Sequence, residues 1–208
     1  MKHKKLLISL DLDETLIYTE DKKHKIPRLE RKDPDMFTDI NEPVFFRPDV
    51  KKFLKNLKEN EDISIGVFTA SQKHYAEPIL EELLGNLGNL SHLFYQDRIT
   101  RTKNIIYEPY NLSPKQELMK DLKKVLNATK HDMKRIIAVD DKMMYKRQRG
   151  NILLVPEYGA EKEDNELENI HESILFLIDK ENVRDFIKDF KVDKNIKKPK
   201  APSYSPAF

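Results

Sequence analysis

The chain has 208 residues, 38% of them hydrophobic and 36% charged. That is enough apolar content for one domain with a real core, and more than a disordered chain carries. Its 38 Lys and Arg exceed its 36 Asp and Glu by only two, so no basic field marks a general nucleic-acid binder. The absence of cysteine excludes disulfides and thiolate metal sites and leaves the redox compartment open.

The longest apolar run, "ILFLI" at 174–178, is far too short for a membrane span. Acid interrupts "MKHKKLLISLDLDE" too soon for a signal peptide. The expectation is a soluble intracellular protein, cytoplasmic or nuclear, with a monomer favoured.

In chain order, residues 5–12 read as a buried strand, a short apolar run that ends at a turn. Val50, Phe53, Leu54 and Leu57 then recur at helical spacing after "RPD". "ISIGVF" at 63–68 predicts a second strand. Ser71 is placed to cap a helix whose buried face is Ala76, Ile79, Leu80, Leu83 and Leu84, with Gly85 as its stop. Leu118, Leu122, Val125 and Leu126 predict another helix, and "RIIAVDD" at 135–141 a strand ending in acid. "NILLVP" at 151–156 is a further strand. A helix with Leu167, Ile170, Ile174, Leu177 and Ile178 follows, and 181–190 reads as one more.

Alternating strands and helices imply an α/β fold with a central parallel sheet flanked by helices. Two polar segments, about 19–46 and 88–112, interrupt the alternation and are expected as loops or small hairpins beside the sheet. Residues 1–190 are thus read as one domain with two insertions. The Lys- and Pro-rich stretch 191–208 has little to bury and reads as a flexible tail.

Three of these strands run into polar residues: Asp11 and Asp13 at the end of the first, Thr69 and Ser71 after "ISIGVF", and Asp140 and Asp141 at the end of "RIIAVDD". Ligands of open parallel sheets bind beyond the carboxyl ends of the strands. If these strands are neighbours, the carboxylates and hydroxyls share one rim. Crowded carboxylates call for a cation, and hard oxygen donors suit Mg²⁺. A carboxylate can also serve as a nucleophile, with a second acid handling protons.

The strings "LDLDETLIYT", "FFRPDVKKFLKNL", "IGVFTASQKHYAEPIL", "LFYQDRITR", "LMKDLKKV" and "IIAVDD", spread over residues 6–141, resemble the phosphatases of the haloacid dehalogenase superfamily. Within it they are most similar to the C-terminal-domain phosphatase group. The resemblance implies a Rossmann-like fold with only small insertions as a cap, and an Mg²⁺-dependent phosphomonoester hydrolase working through an aspartyl-phosphate. It also implies a phospho-Ser or phospho-Thr protein or peptide as substrate.

By the same resemblance Asp11 would be the nucleophile, and Asp13 the acid and then the base. Thr15 would support the first loop. Thr69 and Ala70 would contact the phosphoryl oxygens and Lys120 would neutralise their charge, with Lys115 and then Lys103 as alternatives. Asp11, Asp140 and the Asp13 carbonyl would hold the metal. Arg47 could pair with acids near the site, and Asp141 would be a further metal or water ligand or a partner of a lysine such as Lys142.

Two positions depart from the family's pattern. Asp49 follows "RP" where the family usually has glycine, and Asp141 makes "DD" where many small members have "DN". The histidines at 3, 24, 74, 92, 131 and 171 show no ligand spacing, and Tyr75 reads as packing. "PSYSP" at 202–206 reads as a chance match to the polymerase heptad register. The rival readings are the same chemistry on a small molecule or a nucleic-acid end, and a non-catalytic interaction module of the same fold.

Overall fold

Leu6–Leu10 (β1) is buried at every residue, as a strand must be when helices cover both faces of its sheet. The computed structural model describes residues 5–20, 33–108, 111–145 and 148–187, and for 102–117 the backbone alone. The expected tail at 191–208 and residues 21–32 of the first insertion lie outside the described residues.

After β1 the chain forms β2 (Ile17–Thr19), β3 (Met36–Phe37), β4 (Pro43–Phe46), α1 (Val50–Glu59), β5 (Ile63–Phe68), α2 (Lys73–Leu84) and β6 (Leu93–Phe94). There follow β7 (Thr100–Glu108), β8 (Asn111–Met119), α3 (Leu122–Thr129), β9 (Ile136–Asp140), β10 (Ile152–Leu154) and α4 (Glu166–Ile178).

The main sheet has the order β10-β9-β1-β5-β6 and is parallel throughout. Side chains alternate across β1 with the period of two that a strand imposes. Leu6, Ile8 and Leu10 join a core with α1, α2 and α4, while Leu7 joins a separate cluster with Leu122 and Val125 of α3. The sequence-predicted helix faces are the buried ones: Val50, Phe53, Leu54 and Leu57 on α1, and Ala76, Ile79, Leu80, Leu83 and Leu84 on α2. Gly85 ends α2 at φ 70°, its N–H on the Glu81 carbonyl, a conformation glycine adopts without steric cost.

The two insertions are small sheets. Residues 17–46 supply the antiparallel β2-β4-β3, and β7 and β8 form a two-stranded hairpin. That hairpin runs to Met119, past the expected limit at 112. Leu118 therefore lies in β8, opposite Arg101, and not on a helix. The helix starts only at Leu122, where the Asp121 carboxylate accepts the Lys123 N–H. Leu118 and Leu122 happen to stand four apart, so their spacing alone mimics a continuous helix.

The two-residue edge strand β6 lay inside the second expected loop. Of the last expected helix, the described part is a 3₁₀ turn at Val183–Asp185. Asp49 precedes α1 at φ 58° and makes no side-chain cap. A left-handed φ explains why glycine suits this position.

Candidate active site

The register of the sheet decides where the polar strand ends meet. Leu10 pairs with Val67 on one side and Val139 on the other. Asp11, Thr69 and Asp140 therefore leave three adjacent strands at one rim. Asp11 continues the ladder by donating its N–H to the Val139 carbonyl at 3.0 Å.

Between the strands sits Lys120, 1% exposed. Its Nζ lies 2.7 Å from Asp11 Oδ1 and 2.6 Å from Asp140 Oδ2. Lys120 follows β8, and its N–H donates to the Met144 carbonyl at 2.7 Å, so the hairpin delivers it to the rim. Tyr145, from the loop after β9, donates its hydroxyl to Asp140 Oδ2 at 2.9 Å. Burial alone would lower the Lys120 ammonium, but Asp11 and Asp140 outweigh it and hold it above its ordinary value. Burial pushes the Asp11 carboxyl well up; Lys120 opposes this and Asp140 and Asp13 add to it. The side chains of the alternatives Lys115 and Lys103 lie outside the described residues.

Asp13 sits in a different environment. Tyr75 Oη donates to its Oδ1 at 2.6 Å, Ser71 Oγ to its Oδ2 at 2.5 Å, and Thr69 Oγ1 stands 3.5 Å from the same oxygen. Two expectations change here. Ser71 is not the cap of α2, since Gln72 occupies that position and the Ser71 hydroxyl is committed to Asp13. Tyr75 is not merely packing, because its hydroxyl is bonded. The sequence placed the Ser71 hydroxyl at the acidic rim but not on Asp13, and Tyr75 was not legible, because a tyrosine on a helix face looks like core.

Thr15 is buried and ties the first loop to the last. Its Oγ1 donates to Asp141 Oδ1 and accepts the Asp141 N–H, both at 3.0 Å. Arg47 is also buried. Its guanidinium donates to the Thr15 carbonyl at 3.0 Å and grips Asp164 through two bonds of 3.0 and 2.8 Å, so the acid it meets is one the sequence did not single out. Asp141 faces Thr15 and stands 3.4 Å from Lys142 Nζ, which also pairs with Glu14.

Oxygens of Asp11, Asp140 and Asp141 lie within 4.8 Å of one another. Asp141 Oδ2 is buried with no hydrogen-bond partner among the described residues. Three carboxylates this close, one with an oxygen that takes no hydrogen bond beside its 3.4 Å ion pair with Lys142, fit a small hard cation. The Asp13 carboxylate belongs to the hydroxyls and not to this group.

Beside the acids lies an open cleft of about 560 Å³, lined by Asp13, Tyr18, Thr19, Glu42, Ala70 and Tyr75 among others. Ala70 thus borders the cleft, whereas Thr69 is fully buried behind it.

The sequence profile of the NLI interacting factor-like phosphatases matches residues 6–185, from β1 to the turn after α4. The chain belongs to that family. Its α/β architecture is that of the haloacid dehalogenase superfamily.

Solved structures similar to this member include Fcp1, described as an essential RNA polymerase II CTD phosphatase. It is 15% identical with a TM-score of 0.48, over 89% of this chain and 52% of that one. A fission yeast Fcp1 variant bound to beryllium fluoride is 14% identical, TM-score 0.47, over 89% and 54%. The chain thus spans about half the length of those two. A 3-deoxy-D-manno-octulosonate 8-phosphate phosphatase from Moraxella catarrhalis is 15% identical, TM-score 0.44, over 90% and 94%. No match to this sequence emerges among curated proteins. Among the described residues, no helix is long and apolar enough to cross a membrane.

Proposed function

We propose that this family member is an Mg²⁺-dependent phosphomonoester hydrolase that works through an aspartyl-phosphate on Asp11 and acts on phosphoserine or phosphothreonine in a protein. The observation that carries the reading is the pairing of Asp11, at the end of the central strand, with the buried ammonium of Lys120. One is a nucleophile on a rigid mount, the other a fixed positive charge where phosphoryl oxygens would sit.

Asp11 attacks phosphorus as the bond to the leaving oxygen breaks, and Asp13 gives that oxygen its proton. Asp13 then takes a proton from the water that opens the acyl phosphate. Lys120 offsets the charge on the transferring group, with Ala70 lining the cleft beside it and Thr69 behind. Positioning and charge neutralisation are most of what phosphoryl transfer requires. Asp11, Asp140 and the Asp13 carbonyl would hold the Mg²⁺, with Asp141 alongside. When bound, the ion supplies positive charge to the phosphoryl group and to the crowded acids.

A protein substrate is supported by the openness of the cleft. The described insertions are a three-stranded and a two-stranded sheet, with no helical cap among the described residues to enclose a metabolite.

The test is turnover by the Asp11→Asn variant on a phosphoserine peptide. It is expected to fall at least about a thousandfold, a barrier rise of about 4 kcal/mol, with the fold intact by circular dichroism. Residual activity within tenfold of the parent refutes Asp11 as nucleophile. Higher kcat/KM on sugar phosphates than on phosphopeptides refutes the substrate class alone.

A further inference from the structure

Tyr75 reaches the acid–base residue from a helix that carries none of the catalytic groups assigned above. Its hydroxyl lies 2.6 Å from Asp13 Oδ1 and 2.7 Å from Thr19 Oγ1. Resting on the phosphatase reading above, we propose that Tyr75, itself held by Thr19 of β2, is the positioning residue that keeps the Asp13 carboxyl aimed for proton transfer to the leaving group.

The direction of the chain follows from its donors. An ionised carboxylate only accepts, so Tyr75 spends its single proton on Asp13 and Thr19 must donate to Tyr75. Burial and the Asp13 charge raise the Tyr75 hydroxyl above its ordinary value, so it stays protonated. A carboxyl oxygen has two lone pairs, so when Asp13 carries its proton toward the leaving group Tyr75 still donates to Oδ1, and the contact survives both halves of an acid-then-base cycle.

Ser71 on the other carboxylate oxygen completes the restraint. One oxygen is then tied to the loop after β5 and the other to α2 and β2, which defines the plane of the carboxyl. A side chain meant only to fill space would not place its oxygen between two hydrogen-bonding partners in series.

Tyr75→Phe removes one oxygen and keeps the ring, so packing is preserved. The full chain and this variant would be compared by kcat/KM on phenyl phosphate, whose leaving oxygen needs a proton, and on dinitrophenyl phosphate, whose leaving oxygen does not. The variant is expected to lose about tenfold or more on phenyl phosphate and to stay within about threefold of the parent on the dinitrophenyl ester. Thr19→Val should shift the ratio in the same direction by less. Equal losses on both esters, or no loss on either, overturn the assignment to Tyr75. A parent chain inactive on both esters overturns the phosphatase reading itself and takes this inference with it, whereas an active parent with an unchanged ratio overturns only the inference.

Discussion

His92 shows how a titratable residue can be bound wholly to the fold. It is 6% exposed, bonded through Nε2 to Ser9 Oγ at 2.9 Å, with its ring against Phe94 and over Gly66. A Cβ on Gly66 would lie 2.1 Å from His92 Nδ1, so only glycine lets the ring close over β5. Burial, with a smaller push from His131, lowers the imidazole from 6.5 to about 4. Between these values the unfolded chain binds a proton that the folded chain refuses. Stability present above pH 6.5 is therefore lost as pH falls toward 4, by an amount on the order of 3 kcal/mol. His92→Gln keeps an amide near Ser9 without the proton, and its stability by urea melts should fall less steeply over that range. Equal slopes would assign the pH dependence to other groups.

Lys120 is the converse case at the same scale: equally buried, but held charged by two carboxylates. Its replacement by methionine should leave Asp11 and Asp140 facing each other without a counter-ion.

At the scale of elements, the first loop is held by parts of the chain remote in sequence. Arg47, just before α1, spans from the Thr15 carbonyl to Asp164 at the foot of α4 and lies against the Tyr158 ring, 5.4 Å from its centroid. The pair is almost dry, with side-chain exposures of 0% and 10%. Breaking such a pair leaves a charge without compensation, which costs more than replacing both partners. Asp164→Ala should lower stability by about 3 kcal/mol or more. Asp164→Ala combined with Arg47→Met should be milder than the single change, as read from chemical denaturation. A single-variant cost below about 1 kcal/mol, the level of a solvent-screened pair, would show that Arg47 finds water instead.

For the whole molecule, the parallel sheet gathers like charges at one rim, and only part of that charge is answered from within. Lys120 bridges Asp11 and Asp140, while Asp141 Oδ2 has a 3.4 Å ion pair with the half-exposed Lys142 and no hydrogen-bond partner among the described residues. An ion that binds the folded rim and not the unfolded chain must stabilise the fold. Mg²⁺ at about a hundred times its Kd should add about 2.7 kcal/mol, and at about 2–4 °C per kcal/mol for a chain of this size the Tm should rise by about 5–10 °C. Asp140→Asn should abolish most of that rise, and EDTA should abolish turnover. A Tm that ignores Mg²⁺ in the parent would refute the metal role of the cluster, whatever the activity shows.

The sequence by itself determined the layers and the acids. Continuous apolar runs such as Leu6–Leu10 can be satisfied only between two helical layers. The helical spacing on α1 and α2 says which faces those layers present. Asp11, Asp13, Thr69 and Asp140 stand out because each directly follows or closes an apolar strand, and the peptide unit fixes that relation locally. Only the tertiary structure decided which partners these residues meet. The place of Lys120 beside Asp11 and Asp140 follows from the β7–β8 hairpin and the Met144 contact, and not from its neighbours in sequence. Tyr75, Tyr145 and Asp164 carry no local signal, because their hydrogen bonds cross 62 to 117 residues of chain or, for Tyr145, depend on how the loop after β9 turns back. Periodicity encodes which side of an element is buried. Which oxygen faces which is set by strand order and register, and those are properties of the assembled sheet.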